Sequence, residues 1–159
     1  SWATSFPLRS TAASAPAVPQ KTSAENVSCQ GTSAQCVSFY AYMTTPEGVL
    51  IRVFYRFGNS TFKPTDTVTT ALRDNLRSAS RIEVRGYTDS NLDDWSNRYI
   101  AIERARKARD WLVRNGVDAE KIHMRSFPSG NFLTDNTTQQ GRSLNRRVEI
   151  DFRNASMSS

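Results

Sequence analysis

Between residues 81 and 87 the side chains alternate, with Ile82, Val84 and Gly86 on one face and Arg81, Glu83, Arg85 and Tyr87 on the other. A two-residue period of this kind predicts a strand with one face buried. The same period recurs over 49–57, where Ile51, Val53, Tyr55 and Phe57 oppose Arg52 and Arg56. It recurs again over 122–127 and 147–152, the last with Val148, Ile150 and Phe152 aligned. Two stretches switch to helical spacing. After Lys63-Pro64, the residues Val68, Ala71, Leu72 and Leu76 form an apolar stripe with Pro64 near its start. Over 95–115, Tyr99, Ile102, Ala105 or Arg106, and Trp111-Leu112 recur near a period of 3.6, and Gly116 supplies a C-terminal stop. The order β-α-β-α-β-β predicts an α+β fold, a mixed sheet with helices packed on one face. Strand-helix-strand connections of this length give parallel neighbours with right-handed crossovers. Residues 129–144, with Gly130, Asn131, Asp135, Asn136 and Gly141, read as a long polar loop, a feature that is often functional or mobile.

The N-terminal part has a different texture. Residues 1–27 are rich in Ser, Ala, Thr and Pro without a sustained period, and are expected to form a flexible tether. Over 28–47 an arm is expected, in which Val37, Phe39 and Ala41 alternate with Ser38, Tyr40 and Tyr42 as an extra strand or ordered segment. The folded domain is then 48–153, and 154–159 a disordered tail. Cys29 and Cys36 are the only cysteines, and they close a short loop of Gly and small polar residues. A disulfide between them is expected to contribute on the order of 2.5 kcal/mol through loop entropy, and would fit an oxidising compartment. Two free thiols are the alternative. A zinc site is not expected, since two cysteines and the distant His123 do not make a four-ligand shell.

Candidate chemistry gathers where the 81–87 strand ends. Thr88 and Asp89 sit at that end, and Asn97 and Arg104 lie seven residues apart on one face of the following helix, with Ala101 between them leaving room for a ligand. An amino-acid head group carries an ammonium beside a carboxylate, so its receptor needs an anion next to a planar cationic fork. Asp89 and Arg104 are that pair, with Asn97 able to donate and accept beside them. Taken singly, an Asp at a strand end more often shapes a turn, and an Arg on a helix is more often solvated. It is the constellation that points to a ligand.

The pieces Tyr55 to Phe57 with Thr61-Phe62-Lys63-Pro64, Gly86-Tyr87-Thr88-Asp89, Asn97, Arg104-Ala105, Gly116-Val117, Gly141-Arg142 and Asn145-Arg146-Arg147-Val148 together resemble the OmpA-like peptidoglycan-binding domain. This family is found at the C-terminal end of OmpA and in Pal-type lipoproteins and MotB-type stator proteins. The resemblance covers about 49–152. It implies binding of the diaminopimelate residue of the peptidoglycan stem peptide. The family's gripping aspartate falls on Asp89, its arginine on Arg104 and its helix asparagine on Asn97, while Asn145 and Arg146 match the closing Asn-Arg-Arg segment. Leu92 stands where many members carry glycine, and Arg56 and Gly58 where they often carry Asp or Asn. The role implied is a periplasmic anchor of an envelope protein or assembly, outer-membrane associated. The alternative is a subunit of a secretion or motor complex whose domain mainly makes contacts with other envelope proteins.

Charge and inventory narrow the rivals. Six more basic than acidic residues, 21 against 15, and a pI near 9.7 favour an anionic partner without choosing it. The basic residues are scattered over strands and helices without a nucleic-acid motif, so nucleic acid is not the expected partner. One histidine, no Gly-x-Ser-x-Gly elbow and no phosphate loop argue against an enzyme, and no cofactor is expected. Asp89, Asn91 and Asp93 fail as a calcium loop because Asp94 stands where that loop needs glycine and Ile100 where it needs glutamate. No run approaches the roughly 18 apolar residues of a membrane helix, and the start lacks the layout of a leader peptide. Membrane association is therefore expected only through an anchor outside this chain.

Overall fold

The computed structural model describes residues 21–23 and 40–155. Among these residues six strands form one sheet: β1 (Lys21–Ser23), β2 (Tyr40–Thr45), β3 (Gly48–Phe54), β4 (Arg81–Tyr87), β5 (Ile122–Phe127) and β6 (Arg147–Arg153). The helices are α1 (Asp66–Arg73), α2 (Trp95–Arg114) and α3 (Gln139–Asn145). The sheet order is β1-β2-β3-β6-β4-β5, with only β4 and β5 parallel. The mixed α+β sheet is as the pattern predicts, with one difference. β3 and β4 are not neighbours, because β6 returns between them antiparallel to both. An all-apolar face on β6 (Val148, Ile150, Phe152) is best buried at the centre of the sheet.

The core lies on a single face. Ile51, Val53, Ile82, Val84, Val148, Ile150 and Phe152 meet Val68 and Leu72 of α1 and Ala105, Ala108, Trp111 and Leu112 of α2. The expected N-terminal arm contributes β2, a hairpin partner of β3 whose Tyr40 and Tyr42 turn toward this core. Of the segment read as a tether, Lys21–Ser23 pairs with β2 as an edge strand. Cys29 and Cys36, the rest of 1–27 and the end of the tail lie outside the described residues.

Three sequence expectations change here. β3 stops at Phe54, and although Tyr55 stays buried, Phe57 is 81% exposed rather than in the core. The chain turns after Arg56, with the Asn59 amide donating to the Arg56 carbonyl at 3.0 Å and Gly58 at φ 73°, a left-handed conformation that suits glycine. The inner stripe of α2 is Ala101, Arg104, Ala105, Ala108, Trp111 and Leu112, while Tyr99 and Ile102 are exposed. The reason is close approach to β4. A Cβ on Gly86 would collide with the Ala101 carbonyl oxygen and crowd the Ala105 nitrogen at 3.0 Å. Ala101 therefore packs on the sheet and does not leave room for a ligand. Gly86→Ala is expected to cost about 1–3 kcal/mol by overpacking, measurable as a lower urea midpoint. A midpoint equal to wild type would show that the helix lifts freely. Third, the expected loop 129–144 contains α3, which has no apolar period to announce it and begins at a Thr138 cap whose hydroxyl accepts the Gly141 amide at 2.9 Å.

The opposite face of the sheet is ionic. Glu149 accepts from Arg52 and Arg147 at 2.9 Å each and from Arg85 at 3.2 Å, and Arg85 also reaches Asp151 at 3.1 Å and Glu83 at 2.9 Å. At the end nearest the β4 turn, Tyr87 stacks on Phe127 with ring centroids 4.7 Å apart, and the Arg147 guanidinium covers Tyr87 at 3.7 Å.

Candidate functional site

β4 delivers Thr88 and Asp89 to the edge of the sheet, and the surrounding loops fix the turn they make. The Thr88 hydroxyl donates to the Pro128 carbonyl at 2.6 Å and accepts the Ser90 amide at 3.0 Å. The Gly130 amide donates to the Ser90 carbonyl at 3.2 Å. The Asn136 side chain donates to the Asp89 carbonyl at 2.8 Å. Asp89 is thereby held at both its backbone and its flanks, which leaves its carboxylate as the variable part.

That carboxylate pairs with Arg146, Nη1 to Oδ2 at 3.0 Å, with both side chains about 15% exposed. Arg146 is itself aimed by its Nε, which donates to the Tyr55 carbonyl at 2.9 Å, and by the end of α3. The segment carrying α3 is folded by Asn145. Its fully buried side chain accepts the amides of Leu133 and Thr134 and donates to the Thr134 carbonyl and to Asn136. On the other side, Asp94 caps α2 and takes both the backbone amide of Asn97, at 3.0 Å, and its side-chain amide, at 2.8 Å.

Arg104 occupies a different level. It is 1% exposed, with Nη1 donating to the Tyr87 carbonyl at 2.6 Å, Nε to the Asn59 carbonyl at 2.9 Å and its plane 4.6 Å from the Tyr55 ring centre. Burial lowers its pKa to about 10, opposed by Tyr55 and Asp89 and reinforced by the like charge of Arg146. It remains a cation at neutral pH, within electrostatic reach of the Asp89–Arg146 pair.

Over these residues opens a cleft of about 760 Å³. Of the residues expected from the sequence, Asp89, Asn97 and Arg146 line it, while Thr88, Arg104 and Asn145 stand behind and hold the walls. Phe57, Ser90, Ser96, Gln139 and Arg142 also line it. Arg142, whose Nη1 donates to the Asn136 carbonyl at 3.1 Å, was visible in the sequence only within Gly141-Arg142. Phe57 was hidden by its apparent place in a strand. The cleft thus combines one carboxylate, two guanidiniums and several neutral donors, a set that can exchange an internal ion pair for both charges of a zwitterion. Among the described residues no cluster of His, Cys, Asp or Glu is arranged to hold a metal ion, and no helix is long and apolar enough to cross a membrane.

Known proteins with similar sequences carry related names. A type IV secretion system putative outer membrane lipoprotein of Brucella abortus is 30% identical over 107 residues, 67% of this chain and 62% of that protein. Peptidoglycan-binding protein ArfA of Mycobacterium tuberculosis is 37% identical over 71 residues, 45% of this chain but only 22% of that protein's length. In fold, the cell wall anchor of the T6SS from Pseudomonas aeruginosa superposes with a TM-score of 0.58 at 19% identity, over 72% of this chain and 87% of that one. The OmpA family model matches residues 54–146, from the last residue of β3 to the arginine that pairs with Asp89. The chain belongs to the OmpA family.

Proposed function

We propose that this domain is a non-enzymatic module of the periplasm that binds peptidoglycan by the diaminopimelate of its stem peptide and so anchors an envelope protein or assembly. The observation that carries this reading is the Asp89–Arg146 pair at 3.0 Å on the wall of the cleft, with Arg142 and Asn97 on the same surface. The side-chain end of diaminopimelate is an amino-acid head. Its ammonium takes Asp89, its carboxylate takes Arg146 and Arg142, and Arg104 from behind fixes the turn and adds positive potential. A lysine side chain offers the ammonium alone and leaves the arginines unanswered.

The test is sedimentation with purified peptidoglycan, competed by free diaminopimelate. Wild type is expected to prefer diaminopimelate-type over lysine-type wall at physiological salt, with modest salt dependence because ligand and site each bring both signs and few counterions are released. Asp89→Ala is expected to abolish retention, a loss of about 2–5 kcal/mol for a charge left unpaired, with circular dichroism and melting close to wild type. Equal retention on both wall types, removed by moderate salt, would assign the binding to the basic surface instead.

A further inference from the structure

Among the described residues, three aromatic rings on or close in sequence to the cleft lining are left in water. Phe57 is 81%, Trp95 73% and Tyr99 55% exposed. Phe57 forms part of the cleft wall, and Trp95 immediately precedes Ser96 and Asn97, which line the same cleft. Trp95 and Tyr99 are one turn apart on α2, so their side chains lie on the same side of the helix. Solvent-exposed apolar area of this size beside a binding cleft marks a contact surface.

We propose that Trp95 and Tyr99 form a platform for the glycan strand of the wall, beside the cleft that takes its peptide. This inference rests on the stem-peptide reading above, and its argument is one of continuity. A stem peptide is covalently joined to a muramic acid, and two residues separate that sugar from diaminopimelate. At about 3.3–3.6 Å per residue, those two residues, their links and the diaminopimelate side chain itself keep the sugar within about 20 Å of the bound head group, a radius that takes in the start of α2 beside Asn97. A pyranose has a C–H face and a rim of hydroxyls and acetamido groups. A flat ring such as Trp95 meets the face, and Ser96, Asn97 and Gln139 offer donors and acceptors to the rim. A protein partner is the rival occupant, because Ile102 continues Trp95 and Tyr99 along the same side of α2, and the comparison of ligands with and without sugar separates the two.

The experiment is calorimetric titration of two ligands into wild type, Trp95→Ala and Tyr99→Ala. One ligand is a disaccharide carrying a diaminopimelate stem peptide, and the other is the same peptide without sugar. Wild type is expected to bind the sugar-bearing ligand roughly tenfold more tightly, the scale of one good aromatic contact. Trp95→Ala should erase that difference and leave the affinity for free peptide unchanged, with Tyr99→Ala acting in the same direction. Equal affinity of wild type for both ligands, or an equal loss of both in Trp95→Ala, overturns the platform. So does a wild-type dimer in sedimentation velocity that Trp95→Ala dissociates while the sugar has no effect, which would assign the rings to a second copy. Wild type that ignores the free peptide but holds the disaccharide through Trp95 would remove the peptide reading and keep this one.

Discussion

Glu149→Gln is expected to destabilise the domain by about 3–5 kcal/mol, the cost of breaking a buried ion network from one side. Glu149 is 5% exposed and its two oxygens serve Arg52, Arg147, Arg85 and the Tyr87 hydroxyl. Glutamine keeps the shape but removes the charge. Arg85 retains Asp151 and Glu83, whereas Arg52 and Arg147 lose their carboxylate. The same residue sets an acid limb. Burial pushes the Glu149 carboxyl up, but the guanidiniums of Arg52 and Arg147 outweigh it and hold its pKa at about 2. A folded pKa below the unfolded one means stability that is complete above the unfolded value near 4.5 and is lost as pH falls toward 2. The linkage amounts to up to roughly 3 kcal/mol. Glu83, lowered by Arg81, Arg153 and Arg85 against its own desolvation, loses stability in the same direction. Urea unfolding from pH 7 to pH 2 checks both statements. A glutamine variant with wild-type stability at pH 7 and an unchanged acid limb would show that the lattice is ornamental to the fold.

The ends of β4 and α2 were legible because each is announced locally, by alternation up to Tyr87, a helical period from Trp95 and Gly116 after Asn115, whereas the Asp94 cap came only with the structure. What was not legible depends on distance in the chain or on residues with little hydrophobic signal. The inner face of α2 is set by alanines fitting against Gly86, and a small residue weighs little in a search for apolar stripes, so Tyr99 and Ile102 took their place. α3 carries a single large apolar side chain, Leu144, too little to make a stripe, and its position is decided by Asn145 bonding to Leu133, Thr134 and Asn136. The partner of Asp89 is a residue 57 positions away, which no spacing rule reaches. Motif matching found Arg146 as a neighbour of the site but could not separate its place on the cleft wall from that of Arg104 behind it. Burial made that separation.

Arg104 is where the separation has its largest consequence, and Arg104→Ala is expected to lower stability by about 2–4 kcal/mol as well as to lose wall binding. The substitution removes the hydrogen bonds that Arg104 gives the Tyr87 and Asn59 carbonyls and opens a cavity between α2, Tyr55 and the end of β4. Tyr87 is the residue from which Thr88 and Asp89 emerge, so the carboxylate is expected to lose its position along with the turn. Arg104→Lys keeps the positive charge but replaces a planar fork by a point donor, so it should recover part of the stability and less of the binding. Asp89→Ala supplies the contrast. It removes a partner of Arg146 on the wall of the open cleft, where water can reach the guanidinium, without touching the carbonyls, and its melting should stay near wild type while its binding is lost. Thermal melts and peptidoglycan sedimentation on the three variants read these two properties separately. If Arg104→Ala melts like wild type yet fails to bind, its guanidinium is a direct clamp on the ligand carboxylate. Loss of both, with Arg104→Lys intermediate in stability, identifies a buried cation that shapes the site from behind.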